Sequence, residues 1–451
     1  MKILNVNIKW HIAFAIITIT SIVGLFWEQN NSFNQHIFNP INSIDKADTA
    51  WLLTSSSLVL LMTPGLSFFY GGMVGRKNVI STMLQSFICL GVISLIWIVF
   101  GFSLAFGDSS VTVNLDGNTY GLIGNFSQFA FFDQVGLYPH KTIASTIPFV
   151  LFAMFQMKFA IITPALITGS FAERVRFVSY LLFICLFSIF IYTPLCHAVW
   201  HPDGILGGYF GLKDFAGGTV VHMSAGIAAL AGALYIGKRA NIQHQPTNIP
   251  FVLLGTGMLW FGWFGFNAGS ALAADSTAAI AFATTTAASA SGMITWIFFD
   301  RINGRKVSAL GASIGTVVGL VAITPAAGFI SIPESIFFGF STAIISNLFM
   351  NWTLLKKIDD SLDVFACHGI GGIMGMILTA IFAHGENASL LHGGWNVFGH
   401  HMMALVLVFL LTFIGSIILF KLTDIVIPLR VSKKSEELGL DISQHNESII
   451  S

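Results

Sequence analysis

Eleven stretches of about 20 predominantly apolar residues follow one another between Leu52 and Pro428. That pattern commits the chain to a bilayer. Hydrocarbon offers no water to backbone N–H and C=O groups, so a spanning segment must satisfy them internally, and such stretches fold as helices. They run from Leu52 to Val74, Val79 to Phe106, Ile143 to Phe171, Phe177 to Val199, Gly218 to Gly237 and Pro250 to Leu272. The remaining five run from Thr277 to Phe299, Ser308 to Ile323, Pro333 to Met350, Val364 to Phe382 and Met402 to Pro428. The expected fold class is therefore an all-α integral membrane protein with an eleven-helix bundle. Composition agrees: 55% of residues are hydrophobic and only 9% charged, with a mean hydropathy of +0.79, far above soluble domains. The formal net charge is zero, which implies neither nucleic acid nor an anionic surface as a partner.

Basic residues set the expected orientation. Arg76 and Lys77, Arg174 and Arg176, Lys238 and Arg239, Arg301 with Arg305 and Lys306, Lys356 and Lys357, and Arg430 with Lys433 and Lys434 follow alternate spans. The loops between hold only Lys141 and Lys213, with Lys46 ahead of the first span. By the positive-inside rule the core starts outside and ends in the cytoplasm of a multi-pass cell-membrane protein. A missed helix would break this alternation. Ahead of the core, residues 1–27 hold a further apolar run, Trp10 to Trp27, preceded by Lys2 and Lys9. It reads either as a signal peptide, although no A-x-A site follows, or as an extra N-terminal helix.

The membrane domain spans 45–430, and the cytoplasmic tail, 431–451, is too short for a catalytic domain. The longest polar segments are Glu28 to Thr49, Gly107 to Lys141 and that tail. Glycine (44 residues) clusters with Ala and Ser in the fifth, sixth, seventh and tenth spans. Small residues let helices approach closely in lipid, so a tight bundle is expected. Spans one to five and six to ten each end in a His-bearing, Gly/Ala-rich helix. An odd number of spans per half gives an inverted 5+5 repeat, which would bring those two helices together at the pseudo-axis.

The two histidines, His222 and His368, lie at membrane depth, each a short distance after an aspartate, Asp214 and Asp363. A titratable side chain is costly there and commonly marks a path or a site. Packing histidines are the plain alternative, but two in equivalent repeat positions favour function. An Asp at a helix start caps free N–H groups, the structural role expected for Asp214 and, on the cytoplasmic side, Asp363. The four cysteines show neither metal-ligand spacing nor a disulfide framework. His197 and His201 are four apart, a chelating spacing, but no further ligand completes a site. His384, His392, His400 and His401 are likewise assigned no metal.

The segment DFAGGTVVHMSAGIAALAGALYIGKR (Asp214 to Arg239), FGWFGFNAGS (Phe261 to Ser270), FAIITPALITGSFAERVRF (Phe159 to Phe177) and DVFACHG (Asp363 to Gly369) closely resemble the ammonium transporter (Amt/MEP/Rh) family. The likeness runs from DKAD at Asp45 to GLDISQH ending at His445. The intact DFAGGTVVH and the Trp of CHAVW favour the Amt branch over the Rhesus-type branch. The resemblance implies a homotrimer, each subunit with its own narrow pore for ammonium or ammonia, methylammonium serving as analogue. It also implies an outer cation site at Phe159, Trp200 and Ser270, stacked gate rings at Phe159 and Phe266, and a pore pair of His222 and His368. Phe155, one turn from Phe159, shares its face and joins the gate. No cofactor is implied, and relatives bind a PII-type nitrogen regulator at the cytoplasmic face.

The chemistry of these residues fits that role. Ammonium and potassium are alike in size and charge, but ammonium donates hydrogen bonds tetrahedrally and can give up a proton. Aromatic faces attract a cation by about 0.5–2 kcal/mol each, and a serine hydroxyl can accept one N–H. A phenyl plug excludes hydrated ions through their desolvation cost. Two neutral imidazoles sharing one hydrogen bond leave one nitrogen able to accept and one able to donate along the path. One residue departs from the family pattern: Lys158, beside Phe159, points about 100° away from it on a helix and is expected to snorkel or to sit at a subunit contact. The leading expectation is ammonium uptake for nitrogen supply. A sensor and Rhesus-type gas conduction rank behind it. An enzyme is not expected, since no buried nucleophile or metal constellation accompanies the histidines.

Overall fold

In the computed structural model of the protein the described residues are 2–27, 44–240, 245–352, 356–385 and 388–449. Most of the polar segment expected from Glu28 lies outside them. Each apolar stretch is helical. The helices are α1 (Lys2–Phe26), α2 (Lys46–Met73), α3 (Arg76–Phe106), α4 (Phe149–Phe171), α5 (Phe177–Trp200), α6 (Gly218–Ile236) and α7 (Ile249–Ala271). They continue with α8 (Ser276–Ile302), α9 (Ala309–Ile323), α10 (Ile332–Asn351), α11 (Phe365–Phe382) and α12 (Trp395–Val426). Among the described residues nine helices are long and apolar enough to cross a membrane on their own; α8 and the 15-residue α9 fall outside that standard. α1 exposes nearly all of its described side chains, and Trp27 beyond its end packs its ring on Phe131 at 4.9 Å.

Local sequence fixes where these helices begin. Asp45 accepts the N–H groups of Ala47 and Asp48 at 2.8 and 2.9 Å and starts α2. Asp275 caps α8, Ser308 caps α9, and Ser331 with Glu334 forms a capping box on α10. Each satisfies N–H groups that the first helical turn leaves open. The lateral surface is apolar, with Phe261, Phe298 and Ile418 each more than half exposed, as a helix facing lipid requires.

Small residues decide the packing. α2 and α7 lie so close that a Cβ on Gly255 would come within 2.4 Å of the Phe69 nitrogen, and one on Gly265 within 2.6 Å of the Ser55 carbonyl oxygen. The same device joins α6 to α11: a Cβ on Gly226 would stand 2.0 Å from the Gly369 nitrogen. Gly226 lies four residues after His222, and Gly369 directly follows His368, so this backbone contact brings the two histidine helices together.

The two ends of the bundle differ. At one, β1 (Ser109–Leu115) and β2 (Asn118–Gly124) form an antiparallel hairpin. Its Asp116-Gly117 turn has both residues at positive φ, the geometry that suits a two-residue hairpin loop. At the other end the tail folds back onto the bundle. Asp441 accepts the N–H groups of Ser81 and Ile80 at 2.8 and 3.1 Å, and Asn78 accepts that of Leu440 at 2.8 Å. Beneath the tail, Arg239 pairs with Asp359 at 2.6 Å and Glu173 at 3.1 Å. These contacts tie together the loops after α4, α6 and α10.

Candidate functional site

At the hairpin end a cavity of about 170 Å³ opens between α3, α4, α5 and α7, and Phe159, Trp200, Ser270, Gln156 and Phe215 are among its walls. Trp200 closes α5 and is held edge-on to Phe159, with ring centres 5.9 Å apart at 87°. Its indole N–H donates to the Asp214 carbonyl at 2.9 Å. Ser270, in the last turn of α7, donates its hydroxyl to the Phe266 carbonyl at 2.8 Å, which leaves the oxygen lone pairs as acceptors.

Phe159 in the cavity wall and Phe266 in the wall of the slot beyond form a phenyl pair between the two spaces. Phe159 and Phe266 stack with centres 4.2 Å apart at 30°, and neither is more than 1% exposed. Phe155 packs against Phe159 at 5.0 Å. It stands behind that ring and lines neither the cavity above nor the slot below. Lys158 is buried and is also absent from the cavity wall; it shares a helix face with Met154 and Val150.

Beyond the phenyl pair lies a slot of about 10 Å³, lined by His222, His368, Phe266, Trp263, Leu166 and Val317 among others. This is space for about one water-sized molecule. The imidazoles of His222 and His368 are 5.4 Å apart between centres, and their Nδ1 atoms are 3.3 Å apart. One of the two must be the donor. The His222 Nε2 is buried and has no protein partner. Trp263 stacks on His222 at 5.2 Å and 18°, held by its N–H bond to the Thr324 hydroxyl at 2.9 Å.

The helices presenting the pair open alike. His222 lies in a wide π turn, Gly218–Met223, and His368 in another, Phe365–Ile370. Such turns recur at functional sites because they swing one side chain out of the regular helical register. Asp214 accepts the N–H groups of Gly217, Gly218 and Thr219 at 2.7, 2.6 and 2.7 Å, together with the Thr219 hydroxyl. Gly217 meets that carboxylate at φ 120°, a conformation open to glycine. Asp214 thus caps α6 with its carboxylate and fixes Trp200 with its carbonyl.

At α11 the expected cap is corrected. Asp360, not Asp363, accepts the Phe365 N–H at 2.7 Å. Asp363 has φ 55° and lines a small cavity at the tail end with Asp360, Leu230 and Phe365. Asp360 precedes His368 by eight residues, as Asp214 precedes His222, so the repeat pairs Asp214 with Asp360. That spacing is legible in the sequence and would have found the cap. Gln156 and Trp263 were also missed; a lone polar residue in an apolar span, three before Phe159, was the available signal for the first.

Several of the other described histidines are engaged elsewhere. His197 has both ring nitrogens in use, Nδ1 at 3.0 Å from the Ala105 carbonyl and Nε2 at 2.9 Å from the Ser109 hydroxyl. His384 pairs with Glu334 at 2.8 Å, and His400 stacks on Tyr209. Among the described residues no group of three His, Cys, Asp or Glu is placed to hold a metal ion.

The bundle thus holds an aromatic cavity, a stacked phenyl pair and a buried imidazole pair in series. The family model described as Ammonium Transporter Family matches residues 50–449. The chain belongs to the ammonium transporter family. It is 44% identical over 418 residues to a putative ammonium transporter of Methanothermobacter thermautotrophicus, covering 90% of this chain and 98% of the relative. Among solved structures it resembles Saccharomyces cerevisiae Mep2, with a TM-score of 0.78 and 32% identity over 86% of this chain and 88% of that one. It also resembles a structure titled Sensor Amt Protein, at a TM-score of 0.79 and 29% identity over 88% and 98% of the two chains. This ammonium transporter family member is a multi-pass helical membrane protein of a transporter family, not an enzyme.

Proposed function

We propose that the protein carries ammonium across the cell membrane for nitrogen uptake, by taking up NH4+ at the aromatic cavity and passing ammonia along the imidazole pair. The observation that carries this reading is the order of the parts: a cavity with aromatic faces and a free hydroxyl acceptor, a stacked phenyl pair, then a narrow slot past two histidines. Phe159 and Trp200 supply cation–π attraction, and Ser270 accepts one N–H. A charged ion entering the slot would lose nearly all hydration with little to replace it. Ammonium therefore crosses as ammonia: one N–H bond breaks at the phenyl gate, the electron pair stays on nitrogen, and the proton passes to solvent water in the cavity above, which has room for it. Beyond the gate the imidazole pair meets ammonia with one acceptor and one donor nitrogen. Asp214 supports the cavity from beneath through α6 and Trp200, and Asp363 lies at the exit.

In this reading the hairpin end faces outside and the tail end faces the cytoplasm, as the basic loops require. The subunits form a homotrimer in lipid, and the cytoplasmic face with its docked tail is the place for a PII-type regulator. Ammonium-evoked current from purified protein in proteoliposomes tests the proposal, with potassium as control and methylammonium as analogue. A saturating ammonium current with no potassium current is expected. Phe159→Ala combined with Phe266→Ala should abolish that selectivity. Equal potassium and ammonium currents in the wild type would refute the gate, and absence of both current and methylammonium uptake would favour a sensor. Charge moved per nitrogen tells whether the proton follows along His222 and His368.

A further inference from the structure

One polar group in the cavity wall has no part in the scheme above. Gln156 lies three residues before Phe159 on α4, on the same helix face, and lines the cavity with Phe159, Trp200 and Ser270. Its Oε1 is buried and accepts no hydrogen bond. Native proteins rarely leave a buried carbonyl unsatisfied, and such a group calls for an explanation. Because no donor pins that oxygen, rotation about the last side-chain bond carries it into the cavity without breaking a bond to Oε1. Aromatic rings make up much of the surrounding wall: Phe106, Phe152, Phe159, Trp200 and Phe215.

We propose that Gln156 is a second hydrogen-bond acceptor of the cation site, its amide carbonyl turning onto an N–H of ammonium that Phe159, Trp200 and Ser270 hold. The inference rests on the transport reading and adds a residue that determines specificity. Aromatic faces attract any small monovalent cation and do not separate ammonium from potassium. Two oxygen acceptors change that. Ammonium satisfies two of its four N–H groups on oxygen and turns the others toward ring faces. Potassium exchanges a full shell of water oxygens for two oxygens, whereas sites built for it supply a ring of carbonyls.

The test uses ammonium-evoked current from the full chain in proteoliposomes. Gln156→Leu removes the acceptor at similar size, and Gln156→Glu keeps an acceptor in place. Loss of a hydrogen bond to a charged group should raise the half-saturating ammonium concentration of the Leu variant about tenfold, with maximal current within about twofold of wild type. The Glu variant should saturate at or below the wild-type concentration. A Leu variant that saturates like wild type overturns the inference, as does one whose maximal current falls while its half-saturation stays put, because that is a packing role. Should the Leu variant fail to assemble, the Glu variant decides: a half-saturation raised about tenfold in it also overturns the assignment. Absence of both current and methylammonium uptake from the wild type would sink the transport reading itself. Normal wild-type current with an unmoved half-saturation in Gln156→Leu sinks only this inference.

Discussion

Single residues here act through what they anchor. Asp214 is the clearest case, since its carboxylate closes the first turn of α6 and its carbonyl orients Trp200. One residue beneath a helix thereby sets both a cavity wall and the start of the segment carrying His222. Its repeat partner Asp360 takes over the cap of α11 and leaves Asp363 beside it with another balance of forces. Loss of hydration, and then the neighbouring Asp360 carboxylate, push Asp363 up to about 8. The native state therefore keeps a proton that the unfolded chain releases near the ordinary carboxylate value of about 3.9. Between those two pH values the folded form binds more protons, so stability falls as pH rises. Asp363→Asn, a neutral mimic, should melt higher than wild type above about pH 8. The advantage should vanish below about pH 4, and thermal unfolding in detergent across that range checks it. An equal difference at both ends would mean that ionisation is not involved.

At the scale of elements, the site depends on how α6 and α11 cross. With no hydrophobic drive between helices in lipid, close backbone approach supplies the attraction, and Gly226 against Gly369 permits it. Gly226→Ala places a methyl where the Gly369 nitrogen allows no room. The helices must separate, at a cost of roughly 1–3 kcal/mol for overpacking, and the Nδ1 to Nδ1 contact of 3.3 Å between His222 and His368 opens. A lower melting temperature together with a changed ammonium current is the expected result. A variant with wild-type melting would show that the crossing has slack. The phenyl pair has a similar origin: Phe266 is carried on α7, which lies against α2 through Gly255 and Gly265.

For the whole molecule, the tail closes the structure rather than trailing from it. Asp441 reaches across more than 350 positions of sequence to cap the start of the apolar part of α3. Removing it as Asp441→Ala should cost about 0.5–2 kcal/mol, the ordinary value of a lost helix cap. The tail should then be cut faster by protease. Comparing cleavage rates after residue 430 in the two proteins tests this, and equal rates would mean that the other tail contacts suffice. The Arg239, Asp359 and Glu173 cluster lies under the same tail. It joins the loop that ends α6 to the loop that starts α11, so the tail and the histidine helices share one set of contacts.

The sequence alone determined the membrane class, the position of each apolar helix, the end at which basic residues gather and the two histidines at membrane depth. Those properties follow from hydropathy along the chain, from charge in the loops and from residue types that are costly in lipid, all of them local in sequence. The tertiary structure alone decided which aspartate caps α11, that Phe155 packs behind Phe159 without lining either cavity, and that Gln156 and Trp263 join the candidate site. These depend on rotation about a helix axis and on ångström-scale approach between segments far apart in the chain. Eight-residue spacing could have pointed to Asp360, but only folding turns its carboxylate onto the Phe365 N–H and leaves Asp363 beside the small cavity at the tail end.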